Sequence, residues 1–557
     1  MQVEITIKNY RCFSDSKPAR IVLRKGFTAF VGVNNSGKSS LLKFFYEFRN
    51  LFQYLSHPNG NFIETLKGNS QEFTLPSSIF DPEEVFCNGN SRDIEIQLQF
   101  LLSDETTQTN TSLIPKQLVV TVLRDNPLIS SGAYQARLRF TSKLHLANGT
   151  LNWQGLSLQG TKLNLAGQEP PVTQPIELFH IFKVSKELYE TLYIGPFRNA
   201  IDLITKIDYS YESLIVEDYF DIKAGRAFIR DWRTFKTGKV RKNSESAYRL
   251  TEDIRRIFGF NELEINTSDD NRTLQLFINR KSYMLSELGS GLAQFILVLA
   301  NAAIKQPSYI LIDEPELNLH PSLQLDFLTA LGSYAVEGVL FATHNIGLAR
   351  ASAELIYSVR KDAEGESEVR KLEATPRLSE FLGELSFSGY RELGFDKILL
   401  VEGSTEVKMI QQFLRKYGKD HQIVLLPLGG SQLIKESSEA ELEEIKRICE
   451  NVSALIDSEL TAPEAAIEPS RAAFVEKCKK ANIDCHVLER RAIENYLSNR
   501  AVKQVKGNKY RALEPYEALK DAPHGWAKAE NWRIAQEMTR EELEGTDLGE
   551  FLKRLCD

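Results

Sequence analysis

Two groups of residues in this 557-residue chain are spaced for phosphate chemistry. The first is Gly32-Val33-Asn34-Asn35-Ser36-Gly37-Lys38-Ser39. Glycines at that spacing let backbone N–H groups close around phosphate oxygens. The lysine then reaches the β and γ oxygens, and the following hydroxyl ligates Mg2+. On this reading Gly32, Asn34, Asn35, Ser36, Gly37, Lys38, Ser39 and Ser40 contact a nucleotide, ATP. Its partner is Tyr309-Ile-Leu-Ile-Asp313-Glu314-Pro315-Glu316, an apolar run ending in acids. Asp313 would hold the Mg2+ with Ser39, and Glu314 would orient or deprotonate the attacking water.

The second group is carboxylic. Lys397-Ile-Leu-Leu-Val-Glu402-Gly403-Ser404-Thr405-Glu406 and Ala454-Leu-Ile-Asp457-Ser458-Glu459 each set acids at the end of an apolar strand. Hard divalent cations need several oxygen ligands, and neighbouring strand ends of a parallel sheet converge on one point. Glu402, Asp457 and Glu459 are therefore the expected ligands of Mg2+ or Mn2+. Glu406, one helical turn beyond Glu402, is placed to hold a second ion. Two ions would stabilise the attacking and departing oxygens of a phosphodiester.

The elements that must position these residues are legible around them. Val3, Ile5 and Ile7 alternate with polar residues as a half-buried strand does, and Phe27–Val31 runs into the glycine loop. Ser39 onward reads as a helix, the context that a phosphate loop needs. Residues 57–92 are polar and rich in Asn, Gly, Ser and Pro, which reads as a long surface insertion. Alternation over 94–100, runs at 118–123 and 136–140, and a hairpin signal at Asn148-Gly149 predict an antiparallel lobe. Residues 201–260 read as a helical insertion with a basic cluster between Lys223 and Lys242, suited either to DNA or to a solvated or dimerising face. The expected organisation is a nucleotide domain over 1–361, a linker over 362–394, a second α/β domain over 395–500, and a helical segment over 501–557 that completes it.

Composition narrows the class. The chain is too long for one core, and its 42% hydrophobic and 26% charged content is that of an ordinary globular protein. A net charge of −7 gives no global footprint for nucleic acid, so any such contact must be a local patch. Six scattered cysteines without a CxxC pair argue against a zinc ribbon or a disulfide scaffold. No apolar run reaches the ~20 residues that span a bilayer, and the expected location is the cytoplasm, without membrane contact.

Further motifs carry a resemblance. Leu285-Ser-Glu-Leu-Gly-Ser290-Gly291-Leu-Ala-Gln294 precedes the acidic strand, Asn318-Leu-His320-Pro321 follows it, and Phe341-Ala-Thr-His344-Asn345 ends the next strand. This order resembles the ABC-type ATPases of the SMC-like group: phosphate loop, signature loop, acidic strand, D-loop and switch histidine. The resemblance implies a dimer in which Ser290 and Gly291 of one protomer cap the nucleotide of the other, with His344 sensing the γ-phosphate. Tyr193-Ile-Gly-Pro196-Phe-Arg198 also looks like an element of this group.

The second domain resembles Toprim, with its usual Asp-x-Asp pair replaced by Asp457-Ser458-Glu459. An ABC-type domain followed by Toprim resembles the OLD-family nucleases (overcoming lysogenization defect), similar to Gabija-like and retron-associated defence effectors. That resemblance implies an ATP-regulated, metal-dependent DNA endonuclease in anti-phage defence. It also implies a homo-oligomer, dimer or tetramer, and a defence partner that is protein or RNA. It maps a further acid to Glu494 and a late lysine to Lys528, with Lys509 and Lys520 as rivals. The alternatives are an ATP-driven nucleic-acid sensor or clamp whose Toprim module is not a nuclease, and a topoisomerase- or primase-like Toprim enzyme.

Overall fold

The computed structural model describes the chain apart from residues 1, 59, 102–112, 130–135, 147–148, 151–155, 166–174, 197–217, 271–272, 363–364, 372–396, 420–421, 429–441, 444, 447–448, 450 and 557. Its architecture is mixed α/β. The nucleotide region is built on a six-stranded sheet in the order Leu192–Ile194, Tyr309–Asp313, Gly338–Thr343, Gly26–Val31, Leu355–Lys361, Ser367–Lys371. All pairs are parallel except the last. Tyr309–Asp313 and Gly338–Thr343 are buried along their whole length. That explains why they read as continuous apolar runs: a central parallel strand is covered on both faces. One cover is the helix Ser290–Lys305, apolar on nearly every side and correspondingly buried from Leu292 to Ala303.

An antiparallel sheet adjoins it, in the order Ala19–Leu23, Gln2–Lys8, Ile94–Leu101, Gln117–Ile129, Ala136–Leu146, Gln71–Thr74. The alternating strands are as the sequence suggests: Ile94, Ile96, Leu98 and Phe100 face the core. Two expectations change. The segment 57–92 is not a surface loop. It forms the helix Gly60–Leu66, the edge strand Gln71–Thr74 and a 3-10 turn Pro82–Val85, and it buries Phe62, Leu66, Phe73, Leu75, Ile79, Val85 and Phe86. Its apolar residues are widely spaced among polar ones, so no periodicity shows, yet each finds the same core. The linker also begins later than expected. Ser367–Lys371 pairs with Leu355–Lys361 and extends the nucleotide sheet, and residues 372–396 lie outside the described residues.

In the insertion, Gly225–Thr237 and Arg241–Ile257 are helical as expected, while residues 201–217 and Arg198 lie outside the described residues. The helices are preceded by a short hairpin of Asp218–Tyr219 and Ile222–Lys223. No helix among the described residues is long and apolar enough to cross a membrane.

The second sheet is four-stranded and wholly parallel, in the order Ile423–Pro427, Lys397–Val401, Val452–Ile456, Asp484–Val487. Distinct apolar clusters cover its two faces. The C-terminal segment stitches the two regions together: Ile534 and Ala535 join the core of the second sheet, whereas Trp532 packs into the core of the first. Only part of this segment is helical, mainly Asn499–Lys506, Asn531–Glu537 and Asp547–Cys556.

The helix Ser404–Tyr417 makes the closest junction. Lys408, fully buried, is ion-paired with the buried Glu354 and lies 4.3 Å from the centre of the Phe27 ring. Glu354 also accepts the amide of Phe27, in the strand that leads to the glycine loop. Farther along, Gln411 and Arg415 donate to Asp326 of the helix Pro321–Gly332. Removing one partner of a buried ion pair costs about 3–5 kcal/mol, because the other charge stays buried alone. Glu354→Ala should therefore lower the denaturant midpoint of the whole chain markedly. Glu354→Gln combined with Lys408→Met should be milder. Equal midpoints for wild type and Glu354→Ala in urea would show that Lys408 finds another partner.

Candidate functional sites

The glycine loop lies at the carboxyl end of Gly26–Val31, beside the ends of Gly338–Thr343 and, one strand farther, Tyr309–Asp313. Three motifs far apart in sequence thus meet at one edge of the sheet. Gly37 caps the helix Lys38–Glu47 at φ 104°, a conformation open mainly to glycine. A Cβ at Gly32 would stand 2.2 Å from the carbonyl oxygen of Val359, so this position admits no side chain.

Lys38 Nζ donates to the carbonyls of Gly32 (2.9 Å) and Val33 (3.0 Å), and stands 3.4 Å from His344 Nε2. His344 Nε2 is in turn 3.0 Å from Glu314 Oε1. Burial pushes the Lys38 ammonium down from its ordinary pKa, and Asp313, Glu314 and Glu316 pull it back up. Burial raises the Asp313 carboxyl, opposed by its hydrogen bond to Ser39. Its Oδ1 is buried with no hydrogen-bond partner. An orphaned carboxylate oxygen beside a hydroxyl is a donor set suited to Mg2+, with Ser39 and Asp313 as the residues that would hold it.

Asn34, Asn35, Ser36, Gly37, Lys38, Ser39, Ser40 and Glu314 line a cavity of about 580 Å3. Ser290 and Gly291, at the start of the helix Ser290–Lys305, are not among the described residues lining it, and Ser290 is exposed. Sequence reading overlooked two supports. Ser367 Oγ donates to the Ser36 carbonyl at 2.7 Å, fixing the loop from the edge strand. Glu316 accepts from Thr343 Oγ1 (2.5 Å) and from the His344 amide (3.0 Å), joining the acidic strand to the histidine strand. No periodicity points to Ser367; only the strand pairing brings it there.

A family model described as an AAA ATPase domain matches residues 1–150, which include the glycine loop. This region is an ATPase domain. The match and the loop geometry together imply ATP binding, with Mg2+ as the usual companion ion. No curated protein matches the chain. Among solved structures, an SmcHead bound to the C-winged helix domain of ScpA is similar at 13% identity, covering 66% of this chain and 97% of that one with a TM-score of 0.36. An SMC head domain from Thermotoga maritima is similar at 15% identity, covering 67% and 100%, TM-score 0.32. An Smc head domain with an extended coiled coil, bound to the C-terminal domain of ScpA and derived from Pyrococcus furiosus, is similar at 13% identity, covering 67% and 96%, TM-score 0.31.

Within this ATPase domain, Lys38→Ala should abolish ATP binding in calorimetry while the melting temperature stays near that of wild type. Glu314→Gln should keep ATP affinity but slow turnover by roughly 100-fold or more, since its carboxylate acts at the water and not at the phosphates. Wild-type turnover in Glu314→Gln would assign the water to another residue.

The second sheet gathers a cluster of acids in the same manner. Glu402 directly follows Lys397–Val401, Asp457 follows Val452–Ile456, and Glu406 sits in the first turn of Ser404–Tyr417. The fourth strand, Asp484–Val487, leads to the 3-10 turn Ile493–Tyr496 that carries Glu494. Glu402, Asp457 and Glu494 are buried. Asp457 Oδ1 accepts the Ile493 amide at 2.9 Å, and Glu402 Oε1 accepts the Asp457 amide at 2.9 Å.

Lys528 Nζ is 2.9 Å from Glu494 Oε1 with its side chain 45% exposed; Lys509 and Lys520, also exposed, are not among the groups acting on these acids. Burial pushes the Asp457 carboxyl well up, and Glu402, Glu406 and Glu494 push it further, with Lys528 opposing. Glu406 is raised too, by burial first, with Lys528 opposing. Lys528 is raised, because Glu494, Asp457 and Glu406 outweigh its partial loss of solvent.

Two features depart from the expected ligand set. Arg471, buried on the helix Pro469–Lys480, is ion-paired with Glu402 and donates to the Asp457 carbonyl at 2.5 Å. Sequence reading did not single it out, since nothing in its surroundings marks it. Glu459 is turned aside: its backbone is at φ 55°, its amide donates to the Arg491 carbonyl at 2.8 Å, and its carboxylate holds the Arg491 guanidinium at 2.7 Å. The described residues contain no group of three His, Cys, Asp or Glu side chains set as a finished metal cage. The donor chemistry fits a hard cation nevertheless, because Glu406, Asp457 and Glu494 share one lysine and Glu494 Oε2 is buried without a partner.

The exposed part of the basic insertion comprises Arg230, Arg233, Lys239, Arg241 and Lys242; Lys223 pairs with Asp231, and Lys236 donates to Ile265 and Asn266.

Relief of the carboxylate crowding is measurable. Because the folded Asp457 pKa lies above its unfolded value, its contribution is present at low pH and is lost as pH rises through the folded value. In EDTA, Asp457→Asn should raise the melting temperature at pH 8 and change it little at pH 5. An equal or lower melting temperature at pH 8 would show that the four acids do not repel one another.

Proposed function

We propose that this chain is an ATP-governed, divalent-metal-dependent DNA endonuclease of the OLD type, in which the second sheet is a Toprim nuclease module. The observation that carries the proposal is the gathering of Glu406, Asp457 and Glu494 around Lys528, with Glu402 beside Asp457, at the carboxyl ends of parallel strands. So much buried negative charge is costly without a cation, and functional sites are where such cost is tolerated. Glu402, Asp457, Glu494 and Glu406 are the residues to hold Mg2+ or Mn2+. Glu459 would join them only by leaving Arg491. When bound, the metal supplies Lewis-acid activation of water and charge stabilisation at the phosphodiester. Lys528 would meet the charge that develops on the scissile phosphate, released for that purpose from Glu494.

Nucleotide control follows from connectivity. The helix that begins beside Glu402 is hydrogen-bonded to Pro321–Gly332 and packs on Ile346–Ser352, which start at the end of the D-loop and just after His344. Exposure of Ser290 away from its own nucleotide cavity supports a head-to-head dimer in which a second copy completes the site. DNA would approach through exposed basic residues of the insertion. The family resemblance, not geometry, carries the anti-phage role. One observation favours the other reading, a non-cleaving ATP-driven clamp: Arg471 occupies both Glu402 oxygens.

A plasmid-cleavage assay with Mg2+ or Mn2+, with and without ATP, separates the two. Wild type should cut, EDTA should stop it, and Glu402→Ala should lose at least roughly 100-fold in rate while ATP turnover persists. Cleavage by Glu402→Ala at the wild-type rate would move the active site elsewhere. No cleavage by wild type under any metal would favour the clamp.

A further inference from the structure

A cavity of about 330 Å3 lies apart from both acidic strand ends, where four segments meet. The insertion helix Arg241–Ile257 supplies Asp253 and Arg256, the helix Ser404–Tyr417 supplies Gln412, Arg415 and Lys416, and the C-terminal segment supplies Arg540. The helix Pro321–Gly332 closes the remaining side. Four cations and one carboxylate thus line it.

These groups are unevenly committed. Arg415 is bound to Asp326 at 2.5 Å. Lys416 gives one proton to the Gln536 carbonyl at 3.1 Å and has two others to offer. Burial and the facing Arg256 push its ammonium down to about 8, with Glu537 and Glu542 pulling it up, while Arg540 lies over the Tyr417 ring and 3.9 Å from Glu544. The lone acid, Asp253, has Oδ2 3.4 Å from the hydroxyl of Tyr334. Gln412 is buried, its Oε1 accepts from Arg415 at 3.3 Å, and its Nε2 is buried with no hydrogen-bond partner. A lining with surplus positive charge and an unused amide donor calls for an acceptor-rich anion.

We propose that this junction cavity binds a small phosphate-bearing ligand, held by Arg256, Lys416 and Arg540 and by the Gln412 amide. Phosphate is favoured over a carboxylate because donors arriving from three segments match several oxygens carrying more than one charge, and guanidinium forks suit phosphate geometry. A concave site at a junction of two packed regions suits a small molecule. A nucleic-acid backbone would be tracked by an open basic stripe instead. Since the donors come from both regions, an occupant ties the insertion of the ATPase domain to the helix that carries Glu406. The ligand contact itself is independent of whether the second sheet cleaves DNA.

The test uses the full-length protein and inorganic pyrophosphate in isothermal titration calorimetry. Lys38→Ala, which empties the nucleotide site, should still bind pyrophosphate. Adding Arg256→Glu in that background should weaken binding by roughly tenfold or more, as loss of a charge-assisted phosphate contact does. Arg256 is exposed, so this change should leave the fold intact, and a thermal melt checks that. ADP is titrated in parallel, to distinguish a nucleotide from free pyrophosphate as the source of the phosphates. Absence of binding in Lys38→Ala, or equal affinity with and without Arg256→Glu, overturns the proposal. Displacement of pyrophosphate by a short DNA duplex, with the same dependence on Arg256, would replace the small ligand by nucleic acid and also overturn it.

Discussion

An ammonium buried between two sheets has to be matched by a buried carboxylate, and the pairing of Lys408 with Glu354 is where this molecule meets that requirement. Glu354 also takes the amide of Phe27, and the Phe27 ring lies against the same ammonium. One contact therefore fixes the strand entering the phosphate loop, the strand-edge residue Glu354 and the helix that carries Glu406. Neither sheet can shift relative to the other without exposing or unpairing this charge. The Asp326, Gln411 and Arg415 contacts add a second point of attachment, and two points restrict rotation as well as translation.

With the sheets held this way, the same geometric device serves twice. Parallel strands end together, so residues just beyond them converge although they are distant in sequence. In the first sheet the device gathers Lys38, Asp313, Glu314 and His344; in the second it gathers Glu402 and Asp457, with Glu494 and Lys528 brought in by later turns. The two sites differ in charge balance. At the loop, one lysine faces three acids across space that admits nucleotide. At the second site, four carboxyl groups and one lysine are packed together, with Arg471 neutralising Glu402 from behind. That guanidinium lets the acidic site persist without a cation, and it is also the group a cation would have to displace from Glu402.

Much of this was legible in the sequence because its signals are local. A glycine loop between an apolar strand and a helix needs no tertiary knowledge, nor does an apolar run ending in acids. The alternating strands of the antiparallel sheet are equally plain, since one face of each meets the core. The segment 57–92 was misread for a complementary reason: Phe62, Phe73, Ile79 and Phe86 are too far apart to form a pattern, and only a shared core makes them one set. Ser367–Lys371 was hidden by its charge, because an edge strand with one solvated side needs few apolar residues.

The sequence by itself determined which residue types could bind phosphate and metal, and which strands would present them, because backbone periodicity and loop chemistry are short-range. Tertiary structure alone decided which acids actually share a site. Glu459 is two residues from Asp457 yet points to Arg491, because a left-handed backbone turns it away. Arg471 and Ser367 became parts of the two sites through packing that no spacing announces. The junction cavity belongs wholly to this second kind, since its cations come from segments that meet only when both sheets are folded and locked together.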